Sequence, residues 1–125
     1  MPHNAFVPSS LLTVVETSAF ARKAEKLLTG EEYDDLLLYL SMYYAEGDEI
    51  PGTGGVRKLR YAAQGRGKSG GVRVIYYFFD EVNPVLALLL YGKNEQANLT
   101  PAEKKLAATL AAAMKAEGKA RRVKR

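Results

Sequence analysis

Six basic side chains and no acidic one fall within residues 57–73: Arg57, Lys58, Arg60, Arg66, Lys68 and Arg73. Side chains alternate along an extended segment, so Lys58 and Arg60 share one face while Leu59 and Tyr61 share the other. With Leu59 and Val74 both turned to a core, Arg73 joins Lys58 and Arg60 on the opposite face. Arg66 and Lys68 then hang above from the intervening loop, and two side chains of Tyr91-Gly92-Lys93-Asn94, at the end of the next strand, would complete a concavity. Arginine forks bind phosphate bidentately and lysine acts as a point charge, so this set suits an RNA or DNA backbone. The plainer reading is a solvated hairpin whose charges keep the chain soluble. Tyr77 and Tyr91 lie close enough in the pattern to stack on an exposed base, or else they pack in the core or at its rim. Alternation groups Arg57 with Leu59 at a sheet edge, and it reads as structural.

Other chemistries lack their residues. There is no cysteine, which removes disulfides, zinc knuckles, iron–sulfur ligation and thiol catalysis together. The one histidine, His3, sits in an N-terminal segment without periodicity, so neither a Ser/His/Asp triad nor a histidine metal site can be assembled. Glu31, Glu32, Asp34 and Asp35 occupy helix positions pointing in different directions, and as first-turn acids they complement the helix dipole. Gly67-Lys68-Ser69 has the ending of a P-loop, but Ala62 stands where that motif needs glycine, and a strand follows instead of a helix. No metal and no small-molecule cofactor is expected.

The elements that must position the cations belong to one domain of 125 residues with 47% hydrophobic and 26% charged side chains, an ordinary globular balance. Its net charge of +4 is unevenly spread. Residues 1–56 carry three basic and nine acidic groups, residues 74–114 three and four, and residues 115–125 six and one. Residues 1–11 read as a mobile tail, 12–117 as the folded domain and 118–125 as a basic tail. That tail is either a solvated helix end or an auxiliary anchor on a nucleic-acid backbone, ribosomal RNA if the resemblance given below holds.

Leu12 to Glu16 reads as a short strand, and Phe20, Ala24 and Leu27 at helical spacing as a first helix. Thr29 to Glu32 forms a capping box opening a second helix to about Ala45, with a stripe of Tyr33, Leu36, Leu37, Leu40 and Tyr44. The glycine-rich stretch 47–55 reads as irregular. Lys58 to Tyr61, Gly71 to Phe79 and Val85 to Tyr91 follow as strands, the last apolar enough to be covered on both faces. Thr100-Pro101-Ala102-Glu103 opens a third helix with a stripe of Leu106, Leu110 and Met114, and Gly118 suits its end. The class is α+β: a small, mostly antiparallel four-stranded sheet with two N-terminal helices on one face and a C-terminal helix. No apolar run is long enough to cross a bilayer and no basic n-region precedes an apolar stretch, so a cytoplasmic protein is expected.

Two strings, GTGGVRKLRYAAQGRGKSGGVRVIYYFF and LLLYGKNEQANLTPAEKK, resemble the RelE/ParE superfamily of bacterial toxins, in particular its HigB-type RelE-like branch, over about residues 12–115. The resemblance implies a RelE-like fold and a type II toxin: a ribosome-dependent mRNA endoribonuclease held inactive by a cognate antitoxin, expected to be a small helix-turn-helix protein. Lys58 and Arg60 match the family's alternating basic pair, Arg73 the arginine opening the next strand and Lys93 a further cation, while Asn94 stands where many members have arginine. A tyrosine found beyond this point in RelE itself is absent, since residues 92–125 contain no aromatic.

Five residues are therefore expected in catalysis, Lys58, Arg60, Lys68, Arg73 and Lys93, and four in RNA binding, Arg66, Tyr77, Tyr91 and Asn94. Arg60, Arg73 and Lys68 would carry the charge term, and Lys58, crowded by cations, is the expected base. The partners are the antitoxin and a ribosome holding mRNA, with no membrane. Two other readings share the fold: a non-catalytic gyrase inhibitor of ParE type, and an RNA-binding module without activity.

Overall fold

Five strands and three helices make up the described chain: β1 (Val14–Glu16), α1 (Ser18–Leu27), α2 (Gly30–Met42), β2 (Asp48–Glu49), β3 (Arg57–Tyr61), β4 (Val72–Phe78), β5 (Val85–Gly92) and α3 (Pro101–Val123). The computed structural model describes residues 11–62 and 71–123, with side chains at the C-terminal end as far as Arg121. The sheet order is β1-β5-β4-β3-β2. β1 lies parallel to β5 at one edge, and the other pairings are antiparallel. The class is α+β, as expected, with one strand more than the four expected. That strand, β2, comes from the stretch read as irregular. Asp and Glu are poor strand formers, and two residues show no alternation; β2 exists because Asp48 and Glu49 pair with Lys58 and Arg57.

The turn into β2 is held from β3 and β4. Arg57 donates to the carbonyls of Ala45 (3.0 Å) and Gly47 (2.7 Å), meets Glu49 at 3.3 Å, and lies 5.2 Å from the centre of the Phe78 ring. Its structural reading is thereby accounted for. The Gly47 N–H donates to the buried Tyr76 hydroxyl (2.8 Å). A Cβ at Gly47 would stand 2.8 Å from that oxygen and 2.9 Å from the Lys58 carbonyl, so only glycine fits without a shift.

Each helix starts at a threonine cap. Thr17 accepts from the Phe20 N–H (3.0 Å) and donates its hydroxyl to Leu88 C=O on β5 (2.7 Å), tying α1 to the sheet. Thr29 with Glu32 and Thr100 with Glu103 form reciprocal boxes. On one face of the sheet, Phe20 and Ala24 of α1 and Leu36 and Leu40 of α2 bury against Leu59, Val74, Tyr76, Val85 and Ala87. Each large side chain buried this way contributes about 1.5–3 kcal/mol.

α3 covers the opposite face, against Ile75, Tyr77, Leu88 and Tyr91. A register shift between Ile75 and Tyr76 makes Leu88 the extra residue of β5 and keeps it in this second core. Two expectations for α3 are corrected. Leu106 is 56% exposed, and the seam is made by Ala107 and Ala111, flanked by Leu110 and Met114; small side chains let the helix lie close to the strands. Nor does Gly118 end the helix, which continues to Val123. Gly118 is a packing glycine: a Cβ there would lie 2.9 Å from the Phe79 ring. Beyond it, Arg121 donates to Asn83 Oδ1 (2.7 Å), so this much of the expected basic tail is docked. α2 likewise stops at Met42, short of the expected Ala45.

Candidate functional site

The register of β3 with β4 decides which cations meet. Leu59 faces Val74, and both are buried under α1 and α2. The residues between them therefore point to the other face: Lys58 opposite Ile75, and Arg60 directly opposite Arg73. Arg73 is in turn opposite Tyr91 on β5. Lys58, Arg60 and Arg73 thus converge on one face, at the end of the sheet where β4 begins. Arg60 is exposed, and Lys58 and Arg73 are half-buried. Like charges directly opposite in a sheet oppose pairing, so the Arg60/Arg73 juxtaposition is a local cost within a well-packed fold.

Around this set the chain contributes a rim. Gly92 pairs with Val72, and the Lys93 N–H reaches the Gly71 carbonyl (3.4 Å), which places Lys93 beside the start of β4. Lys93 and Asn94 are both exposed in the turn after β5. Glu95 accepts from the Gly92 N–H (2.8 Å) and pairs with Lys23 of α1. Those two bonds, the Lys23 one first, hold its carboxyl below the usual range. Glu103 accepts from the Thr100 N–H and from the Gln96 amide, both at 2.9 Å. The Thr100 N–H is the main reason its carboxyl is also held low.

Two expected residues are placed differently. Tyr77 is 4% exposed and Tyr91 3%, both packed in the core under α3. Burial pushes both phenols up, with Arg73 pulling Tyr91 the other way. A ring so covered offers no face to a base, so of the two readings open for these tyrosines the structure takes packing. Arg66 and Lys68 fall outside the described residues.

Three residues not singled out in the sequence border the cations. Asp48 stands directly opposite Lys58 because β2 pairs there, although no ion pair joins them within 4.0 Å among the described residues. Asn98 accepts from Lys58 Nζ (3.1 Å). Lys104, in the first turn of α3, lines a cleft of about 190 Å³ together with Lys58, Asn98, Ile50 and Leu99. Nothing local joins residues 58, 98 and 104; the nearest signal is the string running from Tyr91 to Lys105, in which spacing marks only Lys93 as a site cation. Among the described residues no three His, Cys, Asp or Glu side chains gather as metal ligands. No described helix is long and apolar enough to cross a membrane.

The arrangement can hold an anion of distributed charge. Two arginines supply permanent cations, with Lys58 on the same face and Asp48 opposite it on β2. Compared with known families, residues 13–122 match the family model described as "RelE toxin of RelE / RelB toxin-antitoxin system".

Proposed function

The chain belongs to the RelE toxin family of toxin–antitoxin systems, and on that premise we propose that it is a ribosome-dependent endoribonuclease that cleaves translated mRNA in the cytoplasm and so arrests translation. Membership in the family implies a cognate antitoxin. The observation that carries the enzymatic reading is the convergence of Lys58, Arg60 and Arg73 on a single sheet face.

RNA brings its own nucleophile. The 2′-oxygen attacks the adjacent phosphorus, the bond from phosphorus to the 5′-oxygen breaks, and the products are a 2′,3′-cyclic phosphate and a 5′-hydroxyl. The 2′-hydroxyl proton must leave and the 5′-oxygen must gain one. Arg60 and Arg73 offset the charge that builds on the phosphorane, where fixed donors act most strongly. Arginine cannot give up its proton, so proton transfer falls to Lys58 and the Asp48 carboxylate opposite it. Lys93 contributes a further cation from the rim, and Lys68 and Arg66 are further cations on the strength of the sequence. Such a sequence of steps runs without a metal or a cofactor. A partner that covers this surface must be acidic or amphipathic where it does so, and we infer a small helix-turn-helix antitoxin.

Primer extension on translated mRNA after a short pulse of expression tests the reading. New 5′ ends inside coding sequence, absent with Arg73→Ala, are the expected result. Growth arrest without such ends would leave a non-catalytic inhibitor of ParE type, which has no need of three convergent cations.

A further inference from the structure

Lys104 is placed where helix electrostatics disfavour it. It lies in the first turn of α3, its N–H bonded to Thr100 C=O (2.9 Å), and a cation there opposes the helix dipole. Nothing among the described residues compensates: Lys104 makes no ion pair within 4.0 Å, and the neighbouring Glu103 carboxylate is engaged by Thr100 and Gln96. The loop before β3 comes close to it: a Cβ built at Gly52 would lie in ordinary contact, 3.5 Å, with Lys104 Nζ.

Lys104 lines the 190 Å³ cleft together with Lys58 and Asn98, beside the apolar Ile50 and Leu99. Asn98 accepts from Lys58 through Oδ1, which leaves its amide NH₂ to donate. Lys58, Lys104 and this amide bring donors from three residues to the cleft. Asp48, opposite Lys58 on the neighbouring strand, is exposed and does not line the cleft.

We propose that this cleft binds a second phosphate of the same RNA strand, adjacent to the one held by Arg60 and Arg73, with Lys104 and Asn98 as its dedicated ligands and Lys58 between the two. The proposal rests on the nuclease reading and extends its site. Lys58 and Arg60 are two residues apart on β3, about 6.7 Å along a strand, which is the scale of one nucleotide step. Phosphate contacts fix register without reading bases, so Lys104 sets how tightly and in what frame the strand lies and takes no part in the bond-breaking step.

The test uses the full chain and a short single-stranded RNA fully 2′-O-methylated so that it cannot be cut, with binding followed by fluorescence anisotropy from 50 to 200 mM salt. One lost phosphate contact on a single strand lowers the slope of log K against log salt by about 0.7. Lys104→Ala is expected to show that loss equally for unrelated RNA sequences, and Lys104→Arg to restore the slope. A methylphosphonate at the one linkage that Lys104 contacts should cost the wild type the same amount and cost Lys104→Ala nothing more. A Lys104→Ala slope equal to the wild type's, or a wild type without salt-dependent RNA binding, overturns the proposal. Primer extension separates the two claims: a wild type that shows the Lys104-dependent slope yet leaves mRNA uncut keeps the subsite and loses the nuclease.

Discussion

Replacing Arg60 with glutamine removes one of two cations that the register sets directly opposite each other, Arg60 on β3 and Arg73 on β4. The Cβ atoms of such a pair lie about 5 Å apart. With about 7 Å between guanidinium centres in a water-like medium, the repulsion is about 0.6 kcal/mol. For 125 residues the entropy of unfolding is about 0.26 kcal/mol/K, so its relief raises Tm by about 2 °C. The gain should be present at low salt and disappear at 0.5 M NaCl, where the Debye length is about 4 Å. Loss of one preorganised charge at the phosphorane should at the same time lower cleavage about 10²- to 10³-fold. Melting curves at two salt concentrations and primer extension on translated mRNA read the two effects. A Tm that falls at both salts would show Arg60 to be a packing residue, and undiminished cleavage would show that the cation face is not the site.

Packing predictions separate the fold from the site. Leu88→Ala, at the bulge and 2% exposed, should lose about 2–5 kcal/mol in urea unfolding, whereas Leu106→Ala on the exposed side of α3 should stay within about 0.5 kcal/mol of wild type. Gly118→Ala gains about 1 kcal/mol of helix propensity but drives a Cβ to 2.9 Å from the Phe79 ring, and the overpacking cost of about 1–3 kcal/mol makes the net change in Tm negative. Gly30→Ala, with nothing within 4 Å, should raise it. Glu95 and Glu103 have carboxyls held below their ordinary 4.5 by Lys23 and by the Thr100 N–H respectively. A depressed folded value means their stabilisation is present above the unfolded value and lost as pH falls through the folded one. The urea midpoint of wild type should therefore drop from pH 5 towards pH 3 more steeply than that of Glu95→Gln/Glu103→Gln.

Helix starts were legible because capping is local: the Thr29 and Thr100 boxes lie within four residues, and both formed. Strand faces were legible because alternation has no second solution once Leu59 and Val74 are assigned to the core, and that fixed the Lys58, Arg60 and Arg73 face. Features made by distant partners were not. β2 is a strand only against Lys58 and Arg57, and Gly118 is a packing residue only against Phe79. The same distance hid Asp48, Asn98 and Lys104, which reach the cations through pairing and through the docking of α3. Tyr77 and Tyr91 had two readings in the sequence, and only the position of α3 decides between them.

The placement of α3 also explains why the cations gather where they do. Both large faces of the sheet are needed for burial, one by α1 and α2 and the other by Ala107, Ala111 and their neighbours. An arginine midway along β4 on the α3 side would be buried among Ile75, Tyr77 and Leu88, at a cost of several kcal/mol for an unpaired charge. Arg73, the second residue of β4, is itself half-buried, whereas Ile75 and Tyr77 further along the same face are buried. Cations can therefore collect on this face at that end of the sheet without forfeiting core. The first turn of α3, with Lys104, and the connection from Gly92 to Thr100 then close over it from the side. On this account, shifting positive charge from Arg73 to Ile75 would destroy folding, whereas neutralising Arg73 should leave the fold intact. Circular dichroism of Ile75→Arg beside Arg73→Gln compares the two directly, and a folded Ile75→Arg would refute the idea that burial confines the site to the strand end.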